Sequence, residues 1–182
     1  KSRTAKERGL ALGAEAGGAM LALRNSDGAF ADPIAQVTNP EQPGLFQAVP
    51  PMPIVFAPFW ATLKPFALAS PEQFRIQPMP SLTSQQYADA FREVKHKGAK
   101  ENSSRTQEET AIAKFWYEFS EIGWNRVTVT VARDKNLDLL TTARLFALVN
   151  MGLADSYIAG WDSKLHHNFW RPYTAIRKAD AD

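Results

Sequence analysis

Cysteine is absent from all 182 residues. No disulfide framework, thiolate metal site or cysteine nucleophile is therefore available. The compartment stays open, because a cysteine-free chain suits the cytoplasm and the space outside it alike. Long apolar runs are missing as well. The most apolar stretch, PIVFAPFWATLKPFALA, is broken by Pro58, Lys64 and Pro65, and falls short of the roughly 18 residues of a membrane span. There is no excess of one charge: a net +2 argues against a nucleic-acid surface, which shows a concentrated basic patch. No intact signal peptide is visible, since KSRTAKERG is charged and runs into a helical pattern. The start at Lys1 carries the expectation that something once preceded it.

The hydrophobic content of 45% with 22% charged residues is that of a folded globular chain. Three segments are expected. Residues 1–31 read as an N-terminal helix from Ala5 to Leu23, with Leu12, Ala16, Ala19, Met20 and Leu23 along one side. Gly9, Gly13, Gly17 and Gly18 lower its helix propensity, a sacrifice that makes sense if another helix approaches closely. Asn25, Asp27 and Gly28 form a turn. Residues 32–80 hold eleven of the twelve prolines, interspersed with Phe46, Phe56, Phe59, Trp60, Phe66 and Phe74. Proline forbids long helices while the aromatics need burial, so an extended strap over a helical core is predicted. A substrate-access loop is the functional alternative for the same segment.

Residues 81–182 read as the helical core. Ser84 is a helix N-cap, Gly98 marks the far end, and Tyr87, Phe91 and Val94 form the buried stripe. In TQEE, Thr106 and Glu109 match a capping box, opening a helix with Ile112, Phe115, Trp116 and Phe119 turned inward. WNRVTVTVARD has strand propensity but no strand to pair with, so helix is predicted. From Asn136 a long apolar pattern runs through Leu140, Ala143, Ala147, Val149, Leu153, Tyr157, Ile158 and Trp161. A helix apolar on most sides belongs at the centre of its bundle. The fold class is all-α: a helical bundle with a proline- and aromatic-rich strap.

DSKLHHNFWRPYTAIR, residues 162–177, carries the chemistry. Lys164 and Arg171 stand seven residues apart, almost two helical turns, so they project from nearly the same face. Their backbones would be about 10 Å apart along the axis, within reach of one shared anion. Pro172 disfavours helical geometry at Arg171, so the helix is expected to end or bend there. An arginine fork and a lysine point charge suit a tetrahedral oxyanion such as phosphate. Against this, lysine and arginine at such spacing occur by chance in many helices and are usually solvated. His166 and His167 are adjacent and point about 100° apart, so both cannot serve one site. Neither is given a role.

KLHHNFWRP fits the Lys, six residues, Arg-Pro signature and resembles the type 2 phosphatidic acid phosphatase superfamily, which includes vanadium-dependent haloperoxidases and bacterial acid phosphatases. RTQEETAIAKFW, ARLFALVNMGLADSYIAGWDSK and FWRPYTAIR are similar to its bacterial haloperoxidase-like branch in order and spacing. The resemblance implies that Lys164 and Arg171 hydrogen-bond the equatorial oxygens of vanadate, or of phosphate in its place. Trp161 and Trp170 are candidates for an aromatic wall. The family also uses a Ser-Gly-His segment and a later segment with the axial histidine, and no Ser-Gly-His occurs in this sequence. The expectation is thus an N-terminal portion, without the metal-binding histidine, of a haloperoxidase-like protein that oxidises halide with peroxide. Phosphomonoester hydrolysis is the alternative within the superfamily, and a non-catalytic helical interaction domain the alternative outside it. Peroxide and halide, or a phosphate ester, are the expected small-molecule partners. A homo-oligomer, or association with the C-terminal part, would cover the apolar helix face that ending at Asp182 should leave open. The chain alone is expected to be inactive.

Overall fold

The computed structural model describes residues 3–179. The outer tips of the first and last predicted segments, residues 1–2 and 180–182, lie outside the described residues. Six helices appear in the order α1 (Arg3–Arg24), α2 (Gln85–Gly98), α3 (Gln107–Phe115), α4 (Ser120–Asp134), α5 (Leu139–His167) and α6 (Pro172–Ala179). The predicted all-α class is what the structure shows. A small antiparallel ribbon joins β1 (Ile34–Gln36) to β2 (Ile54–Phe56), with Ile34 opposite Phe56 and Gln36 opposite Ile54. Two 3-10 turns, Pro58–Thr62 and Pro71–Phe74, complete the proline-rich region.

Local chemistry explains the helix starts. Ser84 accepts the Tyr87 N–H at 3.1 Å, and Asp138 accepts the Thr141 N–H at 2.8 Å, so each caps its helix. The predicted capping box is complete: Thr106 Oγ1 accepts the Glu109 N–H at 3.1 Å, and Glu109 Oε2 accepts the Thr106 N–H at 2.8 Å. The valine- and threonine-rich WNRVTVTVARD lies within α4, as predicted, because it has no sheet to join.

The C-terminal half of α5 organises the rest. It packs against α4 and against both 3-10 turns, while α2 packs on α6. The strap is fastened to α5 by polar groups. The buried Asp155 carboxylate accepts the N–H groups of Phe66 (2.7 Å), Ala67 (2.7 Å) and Leu68 (3.1 Å). Ser163 Oγ accepts the Ile76 N–H at 3.3 Å. Trp161 Nε1 donates to the Phe56 carbonyl at 3.1 Å. Tyr157 sits between Trp60 and Trp161, with ring centroids at 5.4 and 5.7 Å, and its hydroxyl reaches Ser120 and Glu121 at the start of α4.

Four expectations are corrected. The glycines of α1 serve no close approach, since a Cβ built at Gly9, Gly13, Gly17 or Gly18 meets nothing within 4 Å. The α1 stripe is correspondingly open, with Leu12 66% and Leu23 60% exposed. Phe115, Trp116, Phe119 and Ile112 do not turn inward but lie exposed along α3 and its junction with α4, where Trp116 meets Trp124 at 6.1 Å without being covered by it. The apolar pattern of α5 is buried only in its second half: Leu140 is 80% exposed, whereas Ile158 is fully buried. On α2, Tyr87 and Phe91 are half-buried against α6, but Val94 is exposed. Among the described residues no helix is long and apolar enough to cross a membrane.

Candidate functional site

The long helix ends earlier than its proline suggests. α5 stops at His167, and Asn168 takes the left-handed conformation (φ 47°, ψ 36°) with its N–H donated to the Lys164 carbonyl at 3.1 Å. Asparagine tolerates that conformation, which makes it a natural helix stop. Pro172 then opens α6, where a missing N–H costs nothing. Lys164 therefore belongs to the last turn of α5, while Arg171 belongs to a short connector. The two do not share one helix face, a correction to the spacing argument. The chain reversal at Asn168 brings them to the same place by another route.

That place is a cavity of about 410 Å³ between the strap and the end of α5. The strap contributes an apolar wall that includes Phe46, Met52 and Ile54, and α5 contributes Trp161 and Leu165. Lys164, Asn168 and Arg171 are the polar side chains on its lining, and among the described residues no carboxylate joins them. The Lys164 ammonium lies 4.3 Å from the Trp161 ring centroid, and the Arg171 guanidinium 5.8 Å from that of Phe46. Both cations thus rest against aromatic faces, which attract positive charge without neutralising it. Water reaches Lys164 through the open cleft, yet the surrounding protein partly strips its hydration. This desolvation, and then the like charge of Arg171, hold its pKa below the usual lysine value.

The other candidates are dispersed. Trp161 lines the cavity, but Trp170 is buried on the far side of the connector, in the α2–α6 groove with Tyr87 and Phe169. His167 uses Nε2 to bond the Ile76 carbonyl at 2.9 Å. A carbonyl only accepts, so Nε2 carries the proton and that histidine is committed to the strap. His166 stands edge-on to it, with centroids 4.9 Å apart, and does not line the cavity. Among the described residues, no group of three or more His, Cys, Asp or Glu side chains is arranged to hold a metal ion.

Residues that sequence reasoning passed over build the frame. Asp155, Asp162 and Ser163 are buried polar groups on the strap-facing side of α5. Asn39 and Asn168 exchange side-chain amide bonds, Asn39 Nδ2 to Asn168 Oδ1 at 2.9 Å and Asn168 Nδ2 to Asn39 Oδ1 at 2.8 Å. The asparagine after two histidines at the end of an apolar helix was a signal for a left-handed C-cap. Nothing local marked the others.

Comparison with known proteins bears on this segment directly. Residues 144–182, which carry both cations, match the family described as "VCPO second helical-bundle domain". The chain is 34% identical over 146 residues to a vanadium chloroperoxidase of Curvularia inaequalis, covering 66% of this chain and 24% of that protein. The crystal structure of a bacterial vanadium-dependent iodoperoxidase superposes with a TM-score of 0.71 at 28% identity, over 86% of this chain and 41% of the other. The chain is similar to vanadium haloperoxidases over part of their length. It spans about a quarter of the length of the curated haloperoxidase and about two fifths of the solved one. Within this haloperoxidase-like fold, the cavity lies where the matched helical segment meets the strap.

Proposed function

We propose that Lys164 and Arg171 hold one oxyanion, vanadate or phosphate in its place, and that the protein of which this chain is part oxidises halide with peroxide. The observation that carries the reading is the pair of cations lining one cavity that, among the described residues, no carboxylate joins. Two like charges held near one another in a partly desolvated cleft favour an anion between them. The donor set fits vanadate, whose oxygens accept hydrogen bonds from nitrogen donors.

Within that site Arg171 supplies a planar fork of N–H donors for two oxygens, and Lys164 adds a compact charge with rotatable donors. The rings of Phe46 and Trp161 orient both cations and keep water from one side of each. Bound vanadate would supply the centre at which peroxide is activated for halide oxidation. Lys164, its proton held less tightly than usual, is suited to hydrogen-bond and polarise an oxygen there. His167 takes no part, because its ring is bonded to the strap. The same two cations would stabilise charge on the equatorial oxygens in phosphoryl transfer, the basis of the phosphatase alternative.

Titration of the full-length protein with vanadate and with phosphate, followed by bromide and iodide oxidation and phosphate-ester assays, tests the proposal. Tight vanadate binding with halide turnover supports it. Phosphate-ester hydrolysis without halide turnover would favour the phosphatase. Failure to bind either anion would sink both.

A further inference from the structure

The connector that presents Arg171 has little to stiffen it by itself. It lies between the end of α5 and the start of α6, where Asn168 makes the last bond of the α5 ladder and residues 169–170 belong to neither helix. Its neighbour across the cavity is a second cation, which repels it. A site of two like charges stays assembled only if other contacts hold the pair against that repulsion.

Those contacts converge on two asparagines. Asn168 donates its N–H to the carbonyl of Lys164 itself (3.1 Å), and its own carbonyl accepts the Phe46 N–H (2.9 Å). Trp170 donates its N–H to the Gly44 carbonyl (2.9 Å), and Leu45 pairs with Phe169 as an antiparallel bridge. Asn39 spans the junction: Nδ2 donates both to Asn168 Oδ1 and to the Phe46 carbonyl, each at 2.9 Å. Phe46 is the residue whose ring supports the Arg171 guanidinium. Asn39 therefore ties together the residue that ends the Lys164 helix and the residue that backs Arg171.

We propose that the reciprocal amide pair Asn39–Asn168 is the clamp that fixes Arg171 relative to Lys164, making these two asparagines positioning residues of the oxyanion site. The proposal rests on the anion-site reading above. A glutamine-like longer link would leave slack, and an apolar pair would leave the Phe46 carbonyl without its side-chain donor. Preorganised donors bind a developing or fixed anion without a reorganisation penalty, which is what the clamp contributes.

The molecule contains its own control. Asn125 and Asn150 form a second reciprocal amide pair, both bonds at 3.1 Å, between α4 and α5 and away from the cavity. In the full-length protein, orthovanadate and orthophosphate binding is measured by calorimetry for Asn39→Ala, Asn168→Gly and Asn125→Ala. Asn168→Gly keeps the left-handed turn while deleting the amide, and gives the same test if Asn39→Ala does not fold. The expected result is a loss of about tenfold in affinity for both clamp variants, with none for Asn125→Ala. The Lys164 ammonium, followed by NMR in the unliganded proteins, should titrate at higher pH in the clamp variants as Arg171 moves away. Clamp variants that bind like the wild type, or an unmoved Lys164 titration, would overturn the proposal. A wild type that binds neither anion would instead overturn the anion-site reading, and the Lys164 titration would still decide whether the amide pair sets the spacing.

Discussion

Arg75 and Asp162 form a two-bonded ion pair between the strap and α5, Nε to Oδ2 at 2.8 Å and Nη2 to Oδ1 at 2.7 Å. Asp162 lies two residues before Lys164 on α5, but neither it nor Arg75 lines the cavity, so the pair fastens the strap on another face of the helix. The Arg75 hydrogen bonds hold the Asp162 carboxylate below its usual pKa, against the opposing effect of burial. A carboxylate whose pKa is depressed on folding contributes stability above its unfolded value of about 3.9 and loses it as pH falls through the folded value. Thermal denaturation between about pH 2 and pH 6 should show this acid loss. Arg75→Gln should flatten it and lower Tm at neutral pH. An unchanged acid slope in that variant would show that the pair is not its source.

Asp155 makes a comparable fastening with a single residue. Its carboxylate accepts three successive backbone N–H groups, bonds that are stronger for being made to an ion. Asp155→Asn retains the shape but brings an NH2 group against a donor, and should destabilise by about 2 kcal/mol in urea denaturation. Asp155→Ala should lose more. A loss within about 0.5 kcal/mol, the range of ordinary surface substitutions, would mean water replaces the carboxylate without penalty.

Arg171→Ala should weaken vanadate or phosphate binding more than Lys164→Ala, because a two-bond fork is lost in place of a point charge. Each is expected to reduce affinity by about one to two orders of magnitude. Arg171→Lys should recover only part of the arginine loss. Calorimetric titration gives all three affinities, and equal or reversed losses would count against the fork.

The depressed Lys164 pKa has a sign that experiment can read. Without an anion, the folded state holds this proton less tightly than the unfolded chain, so stability rises as pH climbs from the folded value toward the usual lysine value. A bound oxyanion favours the charged form and should reverse the slope. Anion affinity itself should fall as pH rises through the Lys164 titration. Lys164→Met should remove both dependences while leaving the Asp162 acid loss intact.

The aromatic face of α3 and the open N-terminal half of α5 give a further outcome. With Phe115 69% and Leu139 79% exposed, the 182-residue chain on its own should bind the dye ANS strongly. Apolar patches of this kind rarely stand bare on a monomer. It should show no bromide oxidation with vanadate and peroxide. Turnover by that chain would require a role for His166 that its place outside the cavity denies.

What was legible in the sequence was local. Ser84, the Thr106–Glu109 box and the helical fate of WNRVTVTVARD could be read because cap and partner lie within one turn, or because a strand had no mate. The cations Lys164 and Arg171 were found through spacing and resemblance, though they converge through a turn at Asn168 and not along one helix face. Asp155, Arg75 and Asn39 were illegible for a physical reason: each finds its partner in a segment far along the chain, and a lone polar residue does not name its mate. The inward placement of Phe115 and Trp116 failed because apolar character predicts burial without saying what provides it.

The fastening of strap to helix also sets an order of assembly. Arg75 meets Asp162 across 87 positions, and Asn39 meets Asn168 across 129. Contacts so remote in sequence require large loops to close before any of their energy is recovered, which slows folding. On the ribosome the strap emerges first and has nothing to lie on until α5 is made, at about 5–20 residues per second. For several seconds its prolines, which deny it long helices and strands, also keep it from pairing edge-to-edge with neighbouring chains. The same residues that make the cavity wall thus guard the nascent chain while that wall has no floor.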